Sequence, residues 1–173
     1  MTSMNIEEST SGGFASLIEL DMDIRTFASD WSHCDRMSSY IARMVSHNRS
    51  DSLFYSNLFS SAFNELLETV FRTHGEDGNF LCRVARKGEL DRIELSVPCS
   101  DEQISFYTTA VALINDGEVV ERYRQMLFSE DALDPRIGLL ELAVDYAAKI
   151  SVVPTGDRMI KITIDLALEP REH

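Results

Sequence analysis

Few side chains in this chain stand at spacings that do chemistry. His33, Cys34 and Asp35 are adjacent. Successive side chains on a helix diverge by about 100°, so the three cannot hold one metal ion without ligands from elsewhere. His47 and His74 stand alone, and there is no C-x-x-C or H-x-x-x-H pair. Cys34 therefore reads as core and the histidines as surface or capping groups, with no metal site. The sequence has no G-x-S-x-G for a serine nucleophile, and Cys82 and Cys99 fall in or beside strand patterns, where small apolar filler is their role. The eight glycines are scattered and form neither G-x-x-x-x-G-K-[ST] nor G-x-G-x-x-G. One stretch keeps a spacing with chemical content. In Asn64-Glu65-Leu66-Leu67-Glu68-Thr69-Val70-Phe71-Arg72, Glu65 and Thr69 lie four apart, on one side of a helix.

The elements that would position this stretch follow from apolar periodicity. Phe14–Met22 alternates and reads as a strand, and Asp23–Ala28 as a second short strand or a connection. Asp30 is the expected cap of a helix whose inner face is Trp31, Cys34, Met37, Ile41, Met44 and Val45, ending near His47-Asn48. A long helix starts at Asp51, with Phe54, Leu58, Phe59, Ala62, Phe63, Leu66, Leu67, Val70 and Phe71 as a column broad enough for a sheet to cover. Asn57, Ser61, Glu65, Glu68 and Arg72 fall on the other side, and Gly75 is the expected stop. Phe80-Cys82-Val84 and Ile93-Leu95-Val97 form a hairpin around Lys87-Gly88-Glu89. Asp101–Asn115, Glu118–Phe128 and Ile137–Lys149 read as helices. In the last of these, Ile137, Leu140, Ala143, Val144 and Ala147 share a face. A terminal hairpin joins Ile150–Val153 to Met159–Leu168, where Ile160, Ile162, Ile164, Leu166 and Leu168 alternate strictly. Paired adjacent strands and amphipathic helices imply an α/β two-layer sandwich, with a mixed, mostly antiparallel sheet covered on one face by helices.

The bulk numbers narrow the partners. The 173 residues fit one domain, read as 14–168 between a disordered leader (1–13) and a polar tail (169–173). With 29 acidic and 16 basic residues, the net charge is -13, which repels phosphate backbones and anionic lipid surfaces. Nucleic acid and membranes are therefore not expected as partners. No apolar run reaches membrane-spanning length, and the leader lacks the basic flank and apolar stretch of a signal peptide. Three cysteines at irregular spacing point to a reducing, cytoplasmic setting rather than a disulfide framework.

The segment Asn64–Gly75 resembles the N-box of the GHKL (Bergerat-fold) ATPases, the superfamily of histidine kinases and anti-sigma kinases, whose pattern is close to N-E-L-L-x-N-A-x-x-H-G. Pro135-Arg136-Ile137-Gly138-Leu139-Leu140-Glu141-Leu142-Ala143 resembles the Gly-Leu-Gly-Leu segment that opens the helix after the ATP lid, with Gly138 the surviving glycine. The order of elements is most similar to the SiaB-type regulatory branch, across roughly Phe14–Leu168. The resemblance implies that Glu65 takes the general-base position. Thr69 stands where the family's Mg²⁺-holding Asn would be, and it lacks that residue's amide carbonyl. The Asp-x-Gly-x-Gly box is missing; Asn115-Asp116-Gly117 follows a helix and reads as a turn.

The resemblance implies a bacterial-type cytosolic signalling regulator that acts mainly through protein–protein contacts on a degenerate ATPase-like fold. Its implied partner is an anti-sigma-antagonist-like domain, and it implies a homodimer. If ATP with Mg²⁺ binds, the residues to hold it are Asn64, Thr69, Arg72 and Gly138, with Glu65 as the catalytic group. Two other readings stay open: an active ATP/Mg²⁺-dependent protein kinase, and a non-catalytic structural or assembly protein.

Overall fold

The computed structural model describes residues 13–28, 30, 32–73, 78–131, 134–156 and 158–168. Most of the leader, the polar tail, Trp31, His74 and the Gly75 stop lie outside the described residues. The elements are β1 (Ala15–Asp23), α1 (Ile24–Ala28), α2 (Ser32–Ser46), α3 (Ser52–Thr73), β2 (Asn79–Lys87), β3 (Leu90–Pro98), α4 (Asp101–Asn115), α5 (Val119–Leu127), α6 (Ile137–Asp145), β4 (Lys149–Pro154) and β5 (Met159–Leu166).

The strands form one sheet in the order β1-β2-β3-β5-β4, and every pairing is antiparallel. Registers align core residues in rows across it. One row runs Ile18–Val84–Ile93–Ile164–Ile150 and the next Leu20–Cys82–Leu95–Ile162–Val152. Period-two alternation puts these rows on the helix side, while Glu19, Arg83, Thr163 and other polar residues take the open face. The β2–β3 hairpin closes through Gly88-Glu89, with Gly88 at φ 61°, the left-handed first position of a two-residue II′ turn.

Helix α3 is the centre of the second layer. It runs 22 residues without Gly or Pro, and the Asp51 carboxylate caps it by accepting from the Phe54 N–H at 3.1 Å. Phe59, Ala62, Phe63, Leu66, Leu67, Val70 and Phe71 are buried as expected, and Phe71 meets Phe80 of β2 edge-on with ring centroids 5.3 Å apart. Two positions at its start differ from the expectation. Phe54 is exposed and Tyr55 is buried instead, so the inner face is rotated by one residue there. Tyr55 is drawn in because the Arg49 guanidinium stacks on its ring at 4.6 Å. Arg49 and Arg86 also converge on Asp91, which is fully buried on the core side of β3, and Arg86 donates to the Val45 carbonyl at the end of α2. This buried charge cluster ties the α2–α3 connection to the sheet.

Other elements depart from the periodic reading. Asp23–Ala28 is no second strand: only Asp23 is strand, and Ile24–Ala28 is the short helix α1. Met44 of α2 faces solvent. Helix α6 stops at Asp145 rather than Lys149. Ala147 takes a left-handed φ of 50°, and the Ala148 N–H reaches back six residues to the Leu142 carbonyl, a closure that turns the chain into β4. Its buried residues are Gly138, Leu139, Leu140 and Leu142, so Ile137, Ala143 and Val144 are only half-buried and Ala147 is exposed. Among the described residues, no helix is long and apolar enough to cross a membrane.

Candidate functional site

Helix α6 lies against the second half of α3, and this contact gathers the residues singled out from the sequence. Gly138 is the point of closest approach. A Cβ placed on it would lie 2.2 Å from Thr69 Oγ1 and 2.5 Å from Glu65 Oε1, so any side chain there would force those side chains or the helices to shift. Glu65, Thr69 and Gly138 therefore meet at one spot. Asn64 and Arg72 stand one turn to either side of Glu68. The Asn64 Nδ2 donates to Glu68 Oε1 at 3.0 Å, and the Arg72 guanidinium donates to Glu68 Oε2 at 2.8 Å. The pairing of Glu68 with Arg72, four apart with the acid first, is the expected one.

The charge around this spot is negative. Glu141 and Asp145, four apart on α6, face Glu65 and Glu68 of α3. Burial and then the neighbouring Glu141 and Glu68 charges push the Glu65 carboxyl above its ordinary value, with Arg72 offsetting part of this. Glu141 is raised by burial, then by Asp145 and Glu68. Tyr123 of α5 donates to Asp145 at 3.2 Å, and its hydroxyl is pushed up to about 12, first by burial and then by Glu141 and Asp145. Cys34 of α2 sits at the edge of the same field; burial and then Glu68 push its thiol up to about 12, which leaves it protonated and unreactive.

Two polar atoms at the contact have no hydrogen-bond partner: Thr69 Oγ1, on a residue 2% exposed, and Asn64 Oδ1. The Thr73 hydroxyl donates to the Thr69 carbonyl at 2.7 Å, which satisfies the backbone of Thr69 but not its side chain. Among the described residues, no group of three or more His, Cys, Asp or Glu is placed to hold a metal ion.

No known protein family and no curated sequence matches this chain. Its fold has a solved counterpart. A chain of the SiaB–SiaC complex from Pseudomonas aeruginosa superposes with a TM-score of 0.58 at 12% identity, over 87% of this chain and 88% of that one. At that identity the likeness is one of fold.

The sequence stretch at 64–72 thus sits on the long helix expected, and the Gly138 segment packs on it. Asp145, Tyr123 and Tyr146, whose hydroxyl is raised by burial and then by Glu141, belong to no motif, and Glu141 lies in the Gly138 segment without a role assigned to it. The four-residue spacing of Glu141 and Asp145 was visible, but not that it points at α3. Asn115-Asp116-Gly117 forms a turn, with Gly117 at φ 88° and the Asp116 carboxylate accepting from the Glu118 N–H.

Proposed function

We propose that this protein is a signalling regulator of the GHKL-like type that works by binding another protein, on a nucleotide site that has closed. The observation that carries the proposal is the direct seating of Gly138 on Glu65 and Thr69. A nucleotide with its Mg²⁺ needs room for a phosphate chain and groups that balance its charge. Here α6 fills the place above Thr69. The side chains around it are Glu65, Glu68, Glu141 and Asp145, and the nearby guanidinium of Arg72 is held by Glu68. These residues do not fit an anionic triphosphate. The shared fold with a chain solved in a protein–protein complex supports a protein partner, and an anti-sigma-antagonist-like domain is the class proposed.

The kinase reading keeps one observation in its favour. Glu65 is a half-buried carboxyl with a raised pKa at a helix–helix contact, the property of a general base. Calorimetric titration with ATP and Mg²⁺ separates the two readings, using the wild type, Glu65→Ala and Thr69→Asn. The expected result is no saturable heat at millimolar ATP for any of them, because restoring the asparagine overfills a contact already tight at Gly138. Saturable, Mg²⁺-dependent binding by the wild type that Glu65→Ala abolishes overturns the proposal in favour of the kinase.

A further inference from the structure

The other end of α3 carries the opposite charge. The last turn of α2 and the first turns of α3 border a groove of about 320 Å³, lined by Arg43, Ser46 and His47 on one side and Ser52, Leu53 and Ser56 on the other. No carboxylate lines it. On a chain with 29 acidic residues this is a marked local exception.

The arginine of this groove holds no carboxylate among the described residues, a state it shares with Arg36 on the same helix and with Arg158. Among the described residues, Arg72, Arg92, Arg122 and Arg136 each hold a carboxylate, whereas Arg43 has none within ion-pair distance. A larger cavity, about 390 Å³, lies beside α5, but its two arginines, Arg122 and Arg136, are already neutralised by Asp116 and Asp134. At the α2–α3 groove the local acceptors are used internally. The Asp51 carboxylate takes the Phe54 N–H, the Ser46 hydroxyl donates to the Arg43 carbonyl at 3.4 Å, and Arg86 takes the Val45 carbonyl. Arg43 and His47 themselves are exposed.

Apolar surface surrounds these two side chains. On α2, Arg36, Tyr40, Arg43 and Met44 fall within one stripe about 100° wide, opposite the buried Cys34, Ile41 and Val45, and His47 follows just past the helix end. Tyr40 is 57% exposed and Met44 49%; across the groove Leu53 is 73% exposed and Phe54 46%. Large apolar side chains left in water around an unneutralised cation are the composition of a recognition surface.

We infer that the α2–α3 groove docks an acidic segment of a partner protein, with a partner carboxylate between Arg43 and His47 and partner apolar side chains on Tyr40, Met44 and Leu53. This deepens the proposed regulatory reading by giving the partner contact a place and a charge. The Asp91–Arg49–Arg86 cluster behind the groove fixes the α2–α3 turn, so the surface is preorganised.

Amide chemical shifts of the full chain, followed during titration with a short synthetic peptide of Glu and Leu at helical spacing, test this. Perturbations confined to residues 40–57, and affinity weakened at least about tenfold by Arg43→Glu and by added salt, support the inference. Tyr40→Ala, which leaves the charge unchanged, should weaken the same binding about threefold or more. Absence of peptide binding at these residues, or binding unaffected by Arg43→Glu, overturns the inference. Inorganic phosphate or phosphatidylglycerol vesicles saturating the same amides also overturn it, in favour of a small-anion site or a membrane surface. The ATP titration is indifferent to all of these outcomes, so the two proposals fail separately.

Discussion

The two ends of α3 are built in opposite ways. Toward its C-terminus, Glu65, Glu68 and Thr69 are pressed against α6, the charge is negative, and a glycine is needed for the helices to meet. Toward its N-terminus, Ser52, Leu53 and Ser56 border an open groove lined by Arg43 and His47 and by no carboxylate. The first end carries the sequence resemblance, and there Gly138 of α6 packs directly on Glu65 and Thr69. The second carries no motif and has both room and unneutralised charge. A sequence resemblance marks a stretch of chain; which surface can receive a ligand depends on packing.

The largest test of this contrast is at the support of the open end. Asp91→Ala removes the buried acceptor of Arg49 and Arg86 and leaves two guanidinium groups without their carboxylate. We expect a loss of about 3–5 kcal/mol in urea unfolding, and a collapse of the groove even where the protein still folds. A loss below about 1 kcal/mol would mean that the cluster does not hold the α2–α3 turn.

Next comes the closed end. Gly138→Val drives carbon into Thr69 Oγ1 and Glu65 Oε1 and should cost roughly 1–3 kcal/mol by overpacking, again measured by urea unfolding. A neutral result would show that α6 can swing away from α3, and the closed pocket would then be only one state of an opening cleft.

The smallest effect is electrostatic and has a defined sign. Glu65 and Glu141 both titrate above the ordinary value of 4.5 when folded. The folded state therefore holds these protons more tightly than the unfolded chain. The stability they contribute is present below about pH 4.5 and is lost as pH rises through the folded values, so both carboxylates oppose folding at neutral pH. Glu141→Gln should raise the melting temperature at pH 7 by about one to three degrees, roughly 0.5 kcal/mol after solvent screening, and change little at pH 4. An equal shift at both pH values would place Glu141 outside the acidic field.

Much of the architecture was legible because it is written in local periods. Ile160, Ile162, Ile164, Leu166 and Leu168 can bury one face of a strand in only one way, and Ser100 with Gln103 forms the capping box of α4 through reciprocal 3.3 and 2.8 Å bonds. The misreadings occur where a distant partner decides. Tyr55 replaces Phe54 in the interior because Arg49, held by Asp91 from β3, lies over its ring. Helix α6 turns Gly138 and Leu139 inward because α3 offers a close approach there.

The sequence by itself determined the elements, the alternation of the sheet and the place of Glu65 and Thr69 on one side of a long helix. These depend on residues a few positions apart. Only the tertiary structure decided that α6 seals that side, that Glu141 and Asp145 make it acidic, and that Arg43 and His47 share a groove with Leu53. Close packing and electrostatic fields depend on separations in space, and the chain does not carry those in its order.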